Sequence, residues 1–161
     1  IKLDGAADYP EAVEALTRAG IPVWAQFGLT PQTALVMGIP YENQAGDGAD
    51  VVAEMEDRML SDALMLEKAG AVLLDFTNSG PVVGPKVVEA VNIPVIGGFG
   101  GGPWLDGRVR LAQAAVGYNV AALDREPTGY ANVARTIHDA LAECSDDVRK
   151  ARQIKGQPGR R

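Results

Sequence analysis

One cysteine and one histidine stand in 161 residues. A lone cysteine, Cys144, closes no internal disulfide and builds no zinc site by itself. Its place near a helix end marks it as an inert thiol. A lone histidine, His138, argues against a histidine-rich metal centre or a Ser-His-Asp triad. It sits mid-helix, one step off the apolar stripe, and reads as a surface or half-buried side chain. Basic charge is also short: 15 Lys and Arg face 21 Asp and Glu, for a net charge of -6. Nucleic-acid binding asks for a basic face, so that class is disfavoured. No apolar run approaches the ~20 residues of a membrane span, and no secretory signal opens the chain. These absences predict a cytoplasmic protein with neither nucleic acid nor membrane as partner. Hydrophobic residues make up 47% and charged residues 22%, the balance of an ordinary globular domain.

What is present is a repeated helix–strand unit. Residues 11–19 are strong helix formers closed by Gly20. The short apolar strand Ile21-Pro22-Val23-Trp24-Ala25-Gln26-Phe27 follows. Residues 49–69 repeat the pattern, with Val52, Met55, Met59, Leu60, Ala63 and Leu66 or Leu64 at helical spacing, and Gly70 as the stop. Ala71-Val72-Leu73-Leu74-Asp75-Phe76 is the next strand. The unit returns at Val87-Val88-Glu89-Ala90-Val91, followed by Ile93-Pro94-Val95-Ile96-Gly97. Strands that are apolar on both faces and alternate with helices mean a parallel sheet covered by helices. The loops after these strands, beginning at Phe27, Thr77 and Gly97, are rich in Gly and polar residues. In parallel α/β folds such loops surround the active site, so the three are expected to converge on one pocket.

A further helix is predicted near Val109 to Val116, capped by Asp106-Gly107. Tyr130, Val133, Ile137 and Leu141 predict a core-facing stripe on a helix over residues 127–143. From Ser145 the chain becomes polar and basic, and reads as a solvated tail. The expected division is therefore a barrel domain over residues 1–144 and a tail over residues 145–161. Four or five strands can be counted, whereas a closed barrel needs eight and about 250 residues. The sequence opens at Ile1, inside a strand rather than at a Met. The expectation is an α/β fold, a (β/α)8 TIM-type barrel of which this chain forms roughly the C-terminal half. The upstream half is then missing from it.

Several side chains at strand ends have chemistry to offer. Lys2 and Asp4 alternate along the first strand and share one side of it. On a barrel strand that side is the lumen, where an ammonium can hold a carboxylate or enolate oxygen; on an open edge the two are a solvated pair. Gln26 can donate to a carbonyl oxygen but cannot relay protons, or it is a satisfied core amide. Asp75 and Thr77 share a strand face. Asp75 lies in an apolar strand, where burial raises a carboxyl pKa. It is a general base, a metal ligand or a structural carboxylate. Gly97-Gly98-Phe99-Gly100-Gly101-Gly102 lets backbone N–H groups approach a ligand, but its spacing is not that of a dinucleotide site.

Taken in order, these residues resemble the ketopantoate hydroxymethyltransferase family. Ile1-Lys2-Leu3-Asp4-Gly5 resembles the family's V-K-[IL]-E-G strand. Residues 21–32, IPVWAQFGLTPQ, resemble its I-P-V-x-G-H-[IL]-G-L-T-P-Q. Residues 60–71 resemble its D-A-x-x-L-E-x-A-G-A helix end, and the stretch from Ile93 through Gly107 its I-P-[VT]-I-G-I-G-A-G-x-x-x-D-G. The likeness covers Ile1 to about Gly117. It implies a barrel of the phosphoenolpyruvate mutase and isocitrate lyase type. The implied reaction moves a hydroxymethyl group from 5,10-methylenetetrahydrofolate to α-ketoisovalerate, a branched 2-oxo acid, with Mg²⁺. A homo-oligomer and a role in pantothenate biosynthesis are implied with it. Lys2 would bind the keto acid with Gln26 beside it, and Asp4 would take the place of the family's Glu next to the metal.

Two positions depart from the family. Gln26 replaces its histidine, and Thr77 replaces the glutamate proposed there as general base. A threonine hydroxyl is a poor base at neutral pH. Asp75, about 6–7 Å deeper along the same strand face, is the nearest substitute. Tyr41 through Asp47 also lacks the family's basic G-Y-K-V-Q-G-[RK] stretch. Three readings follow: a hydroxymethyltransferase with Asp75 and Thr77 as catalytic candidates and Asp75 or an upstream residue as base, a diverged Mg²⁺-dependent lyase or aldolase acting on another 2-oxo or dicarboxylic acid, or a catalytically silent paralogue that binds a ligand or stabilises an oligomer.

Overall fold

The computed structural model describes residues 1–36, 38, 55–98, 101–124 and 129–156. The Tyr41–Asp47 stretch, residues 49–54 of the long predicted helix and the Phe99-Gly100 centre of the glycine loop lie outside them. The chain divides into two compact units, Ile1–Val109 and Arg110–Arg161.

The first unit is built on five parallel strands: β1 (Lys2–Leu3), β2 (Trp24–Gly28), β3 (Leu73–Thr77), β4 (Val95–Gly97) and β5 (Gly107–Arg108). They pair in chain order, each strand beside the next. A doubly wound sheet reverses its strand order at a switch point. A sheet that adds every strand on the same side is the progression of a (β/α) barrel. The helices between the strands are α1 (Pro10–Arg18), α2 (Pro31–Val36), α3 (Glu56–Lys68) and α4 (Val83–Ala90). This is the α/β architecture expected from the alternating pattern.

Local sequence accounts for the elements. Pro10 opens α1, where its missing N–H costs nothing, and Val13 is its buried contact. On α3 the buried positions are Met59, Ala63 and Leu66. Leu66 rather than Leu64 is the inward residue, since Leu64 is 46% exposed. Helices α1 and α3 meet at Gly70, whose φ is 97°. A methyl group there would lie 2.6 Å from the Thr17 methyl, and the Thr17 hydroxyl donates to the Gly70 carbonyl at 3.3 Å.

The sheet sorts its side chains by parity. Ala25, Phe27, Leu74, Phe76 and Val95 face the helices and are buried. Phe27 and Phe76 stack with ring centroids 4.6 Å apart. The ladder sets Lys2 beside Trp24, Trp24 beside Leu73, Gln26 beside Asp75, and Asp75 beside Ile96. All of these point to the opposite face from the Phe pair.

Two expectations are corrected. No helix starts at Asp106: its carboxylate accepts from the Val95 backbone N–H at 2.8 Å, and Gly107-Arg108 continues as β5. The residues that follow Asp106 pair with β4 instead of coiling, so it has no helix to cap. In the second unit α5 (Ala112–Ala115) and α6 (Ala121–Asp124) are single turns, and α7 runs Val133–Arg149. The stripe predicted for the core is exposed, Tyr130 at 90%, Leu141 at 64% and Ile137 at 40%. An apolar stripe is buried only when a second layer receives it, and the described part of this unit buries only Ala134 and Asp147. Among the described residues past Ser145, Lys150, Arg152 and Lys155 form ion pairs while staying exposed. Arg152 binds Asp147 at 2.8 Å and also Asp146, while Lys155 binds Glu143. Cys144 and His138 are exposed, His138 beside Asp139 at 2.9 Å. Among the described residues no helix is long and apolar enough to cross a membrane.

Gly28 ends β2 with φ at 94°, and a methyl group there would lie 2.5 Å from the Thr77 carbonyl oxygen. Gly5 has φ at 65° with open space around it. Left-handed backbone alone costs an L-residue about 1–2 kcal/mol. Gly5→Ala is therefore expected to lose about that much, and Gly28→Ala distinctly more, in denaturant unfolding of the intact protein. Equal losses would mean that the close approach of β2 and β3 is not a constraint.

Candidate active site

The loops expected to converge do so by specific bonds. In the Gly28-Leu29-Thr30-Pro31-Gln32 stretch, the Thr30 hydroxyl accepts from the Thr33 backbone N–H at 3.2 Å. Thr30 is thus the N-cap of α2 and Pro31 its first residue. Leu29 donates its N–H to the Thr77 carbonyl at 3.1 Å, and the Asn78 side chain donates to the Leu29 carbonyl at 2.9 Å. Asn78 holds φ at 56°, a conformation that asparagine tolerates better than most residues. Trp104 carries the join onward, its indole N–H donating to the buried Ser79 hydroxyl at 3.0 Å. The loops after β2, β3 and β4 are thereby tied together at the C-terminal ends of the strands.

Beneath them the five side chains singled out in the sequence form one cluster. The Lys2 ammonium lies 2.5 Å from Asp4 Oδ1 and 3.4 Å from Asp75 Oδ2. The Gln26 amide reaches the Thr77 hydroxyl at 3.1 Å. One end of that amide faces Asp4 Oδ1 at 3.0 Å, and the other faces Lys2 Nζ at 3.3 Å. Both ends are satisfied only when Nε2 points at Asp4 and Oε1 points at Lys2 and Thr77. In the opposite setting Nε2 meets Asp75 Oδ2 at a marginal 3.5 Å and opposes the lysine. The first orientation is the better one, because it places an acceptor before the ammonium and a donor before the carboxylate.

The electrostatics follow from unequal burial. The Asp75 side chain is 6% exposed, against 34% for Lys2 and 63% for Asp4. Burial pushes the Asp75 carboxyl above the ordinary carboxylate value. The charge and hydrogen bond of Lys2 oppose that shift without cancelling it, and the Asp4 charge reinforces it. Partial burial works to lower Lys2, but the Asp4 hydrogen bond and the charges of Asp75 and Asp4 outweigh it and raise the ammonium's pKa. The cluster is thus a firmly charged lysine between an exposed carboxylate and a buried carboxylate of heightened basicity.

Sequence reasoning missed Trp24, whose ring centroid lies 5.5 Å from Lys2 Nζ, close enough for a cation–π contact. Its parity with Gln26 was the available signal. It also missed the stitching by Asn78, Ser79 and Trp104, which couples residues far apart in sequence. Mg²⁺ takes oxygen ligands in near-octahedral geometry. Among the described residues no three acidic, histidine or cysteine side chains gather to hold a metal, and Lys2 engages both Asp4 and Asp75. These residues alone do not fit a Mg²⁺ centre.

The sequence profile described as Ketopantoate hydroxymethyltransferase matches residues 1–153. The chain is 38% identical over 154 residues to the 3-methyl-2-oxobutanoate hydroxymethyltransferase of Geobacillus thermodenitrificans, covering 96% of this chain and 52% of the relative. It is 35% identical to the protein of that name from Pyrobaculum islandicum, over 93% of this chain and 54% of the relative. For Bordetella petrii the identity is 34%, over 92% of this chain and 52% of the relative. The chain spans about half the length of the curated relatives it matches.

The raised Asp75 pKa has a definite sign in stability. A carboxyl that holds its proton more tightly folded than unfolded favours folding at low pH, and loses that contribution as pH rises from the ordinary 3.8 through the folded value. Asp75→Asn is expected to flatten this decline in unfolding free energy measured against pH. A decline of unchanged steepness in the variant would assign it to other groups.

Proposed function

The chain belongs to the ketopantoate hydroxymethyltransferase family, and from that premise we propose that the intact protein transfers a hydroxymethyl group to a branched 2-oxo acid, α-ketoisovalerate. Its parallel sheet is part of the family's (β/α)8 barrel. The observation that carries the proposal is the Lys2–Asp75 pair, a cation and a basic carboxylate 3.4 Å apart on one sheet face. Carbon–carbon bond formation next to a ketone needs two things, removal of a proton from the carbon and shelter for the negative charge on oxygen.

Lys2 supplies the shelter. Its ammonium holds the keto oxygen and strengthens its hold as that oxygen becomes an enolate. Asp75 takes the proton from C3, so that the C–H electron pair becomes the enolate π bond. Its raised pKa makes it a better base than an ordinary carboxylate, and its burial excludes the water that would compete for it. Thr77 stands where the family resemblance puts the base. In this chain its hydroxyl is bonded to Gln26, and the two fix each other at the end of the strands beside the reacting carbon. Gln26 orients Lys2 and the substrate by hydrogen bonds and moves no proton.

The enolate carbon then bonds to the one-carbon unit, for which 5,10-methylenetetrahydrofolate is the proposed donor; both C–N bonds of its methylene bridge break, water supplies the hydroxyl, and tetrahydrofolate leaves with one proton from water and the one taken from C3. Asp4 is the carboxylate that would stand beside Mg²⁺, and among the described residues no group of three acidic, histidine or cysteine side chains gathers to hold it. A homo-oligomer in the cytoplasm completes the proposal. The polar partners of Gln26 and Thr77 favour retained chemistry over a silent paralogue, because the cluster still pairs a cation with a base.

The test is proton exchange at C3 of α-ketoisovalerate in deuterated water, followed by NMR without folate. The intact protein should catalyse it, and Asp75→Asn should slow it about 10²–10⁴-fold, the usual range for a general base. Exchange that survives Asp75→Asn removes Asp75 from the role. No exchange by the wild-type protein removes the hydroxymethyltransferase reading.

A further inference from the structure

Side chains on the open face of the sheet fall into rows set by the ladder. One row holds Gln26, Asp75 and Ile96, register partners across β2, β3 and β4. The row beneath it, nearer the start of the strands, holds Lys2, Trp24 and Leu73. Above Asp75 lies Thr77, beside Gly28. The polar side chains Gln26 and Thr77 thus lie level with Asp75 and above it. The apolar ones, Trp24 and Leu73, lie below it, and Ile96 lies on its β4 side. Trp24, Leu73 and Ile96 are half-buried. They line this face and take no part in the core on the helix side.

The Lys2 ammonium is 3.4 Å from Asp75 Oδ2 and 5.5 Å from the centroid of the Trp24 ring, so carboxylate and ring flank the same charge. The indole Nε1 is buried and has no acceptor among the described residues. A buried donor without an acceptor is a cost. Hydrogen bonding therefore does not account for an indole at this position; its bulk and the face it turns to Lys2 do. A branched 2-oxo acid has to present C3 to Asp75, and C3 carries both alkyl branches. Those branches gain nothing against Gln26 or Thr77, whereas each methyl gains by burial against apolar side chains. The geometry points to Trp24 as the floor of the alkyl subsite: it stops the branches on C3, with Leu73 and Ile96 as walls, and so limits the size of the 2-oxo acid accepted. This rests on the 2-oxo acid reading and adds to it the residue that sets chain length. An indole turns about only two side-chain bonds. Held against Lys2, it does not fold away from a longer branch as a flexible methionine does.

Proton exchange at C3 by the intact protein, in deuterated Mg²⁺-containing buffer, tests this with two acids. One is α-ketoisovalerate; the other is 3-methyl-2-oxopentanoate, which has an ethyl group in place of one methyl. Wild type should favour the smaller acid in kcat/KM by about tenfold or more, the scale of one methylene against a rigid apolar wall. Trp24→Leu should bring the two acids within about threefold of each other, because the added methylene then has room. Trp24→Phe loses no hydrogen bond and keeps a ring against Lys2. Its ratio should fall between the other two, and it decides the matter if Trp24→Leu does not fold. A purely structural Trp24 would lower exchange of both acids together and leave their ratio where it is. A ratio unchanged from wild type in these variants overturns the inference, and so does a wild type that exchanges both acids equally well. If wild type exchanges neither acid, the 2-oxo acid reading falls and the inference falls with it.

Discussion

A carboxylate buried in an apolar strand has to be matched by a cation, and Lys2 is the cation that matches Asp75. Without it Asp75 would stay protonated, because an isolated buried charge is more costly than a shifted pKa. With it the carboxyl remains ionisable yet more basic than usual. The arrangement requires β1 to lie beside β2, and β2 beside β3, since the ammonium must cross β2 to reach β3. The pairing of Asp75 with its cation is thus conditional on the parallel ladder. The same neighbourhood places Gln26 between the lysine and Thr77.

Much of this was legible in the sequence. The apolar strands after each helix stop announced a buried parallel sheet, and the five chemistry-bearing side chains are those that come together. Their alternation with Leu3, Ala25, Phe27, Leu74 and Phe76 was the signal, because parity in a strand is fixed by covalent geometry. Long-range stitching was not legible. That Asn78 would reach Leu29, or Trp104 reach Ser79, depends on which loops become neighbours. Asp106 misled for a related reason: an aspartate before a glycine signals a cap, and only the neighbouring strand shows that Gly107 and Arg108 pair with it instead of starting a helix.

The second unit shows the limit of periodicity. The stripe on α7 is real, and its spacing is helical as expected. Periodicity identifies which residues share a face, but whether that face meets a partner is a property of the other layer. The basic stretch that follows is similar. Its composition suggested solvation, and Arg152 and Lys155 stay exposed while they pair with Asp147 and Glu143 of α7.

The register between β2 and β3 limits how this site can change over evolutionary time. Gln26 faces Asp75 and Gly28 faces Thr77, while Phe27 and Phe76 stack on the other side. Inserting or deleting one residue in either strand would exchange the two faces. A benzene ring would enter the charged cluster and an amide or carboxylate would enter the core. Length variation is therefore closed to these strands, and the site can diverge only by replacement in place. Because Gln26 and Thr77 are bonded to each other, replacements at the two positions should be epistatic. A lineage that moves away from a histidine and a glutamate there has reason to change them as a couple.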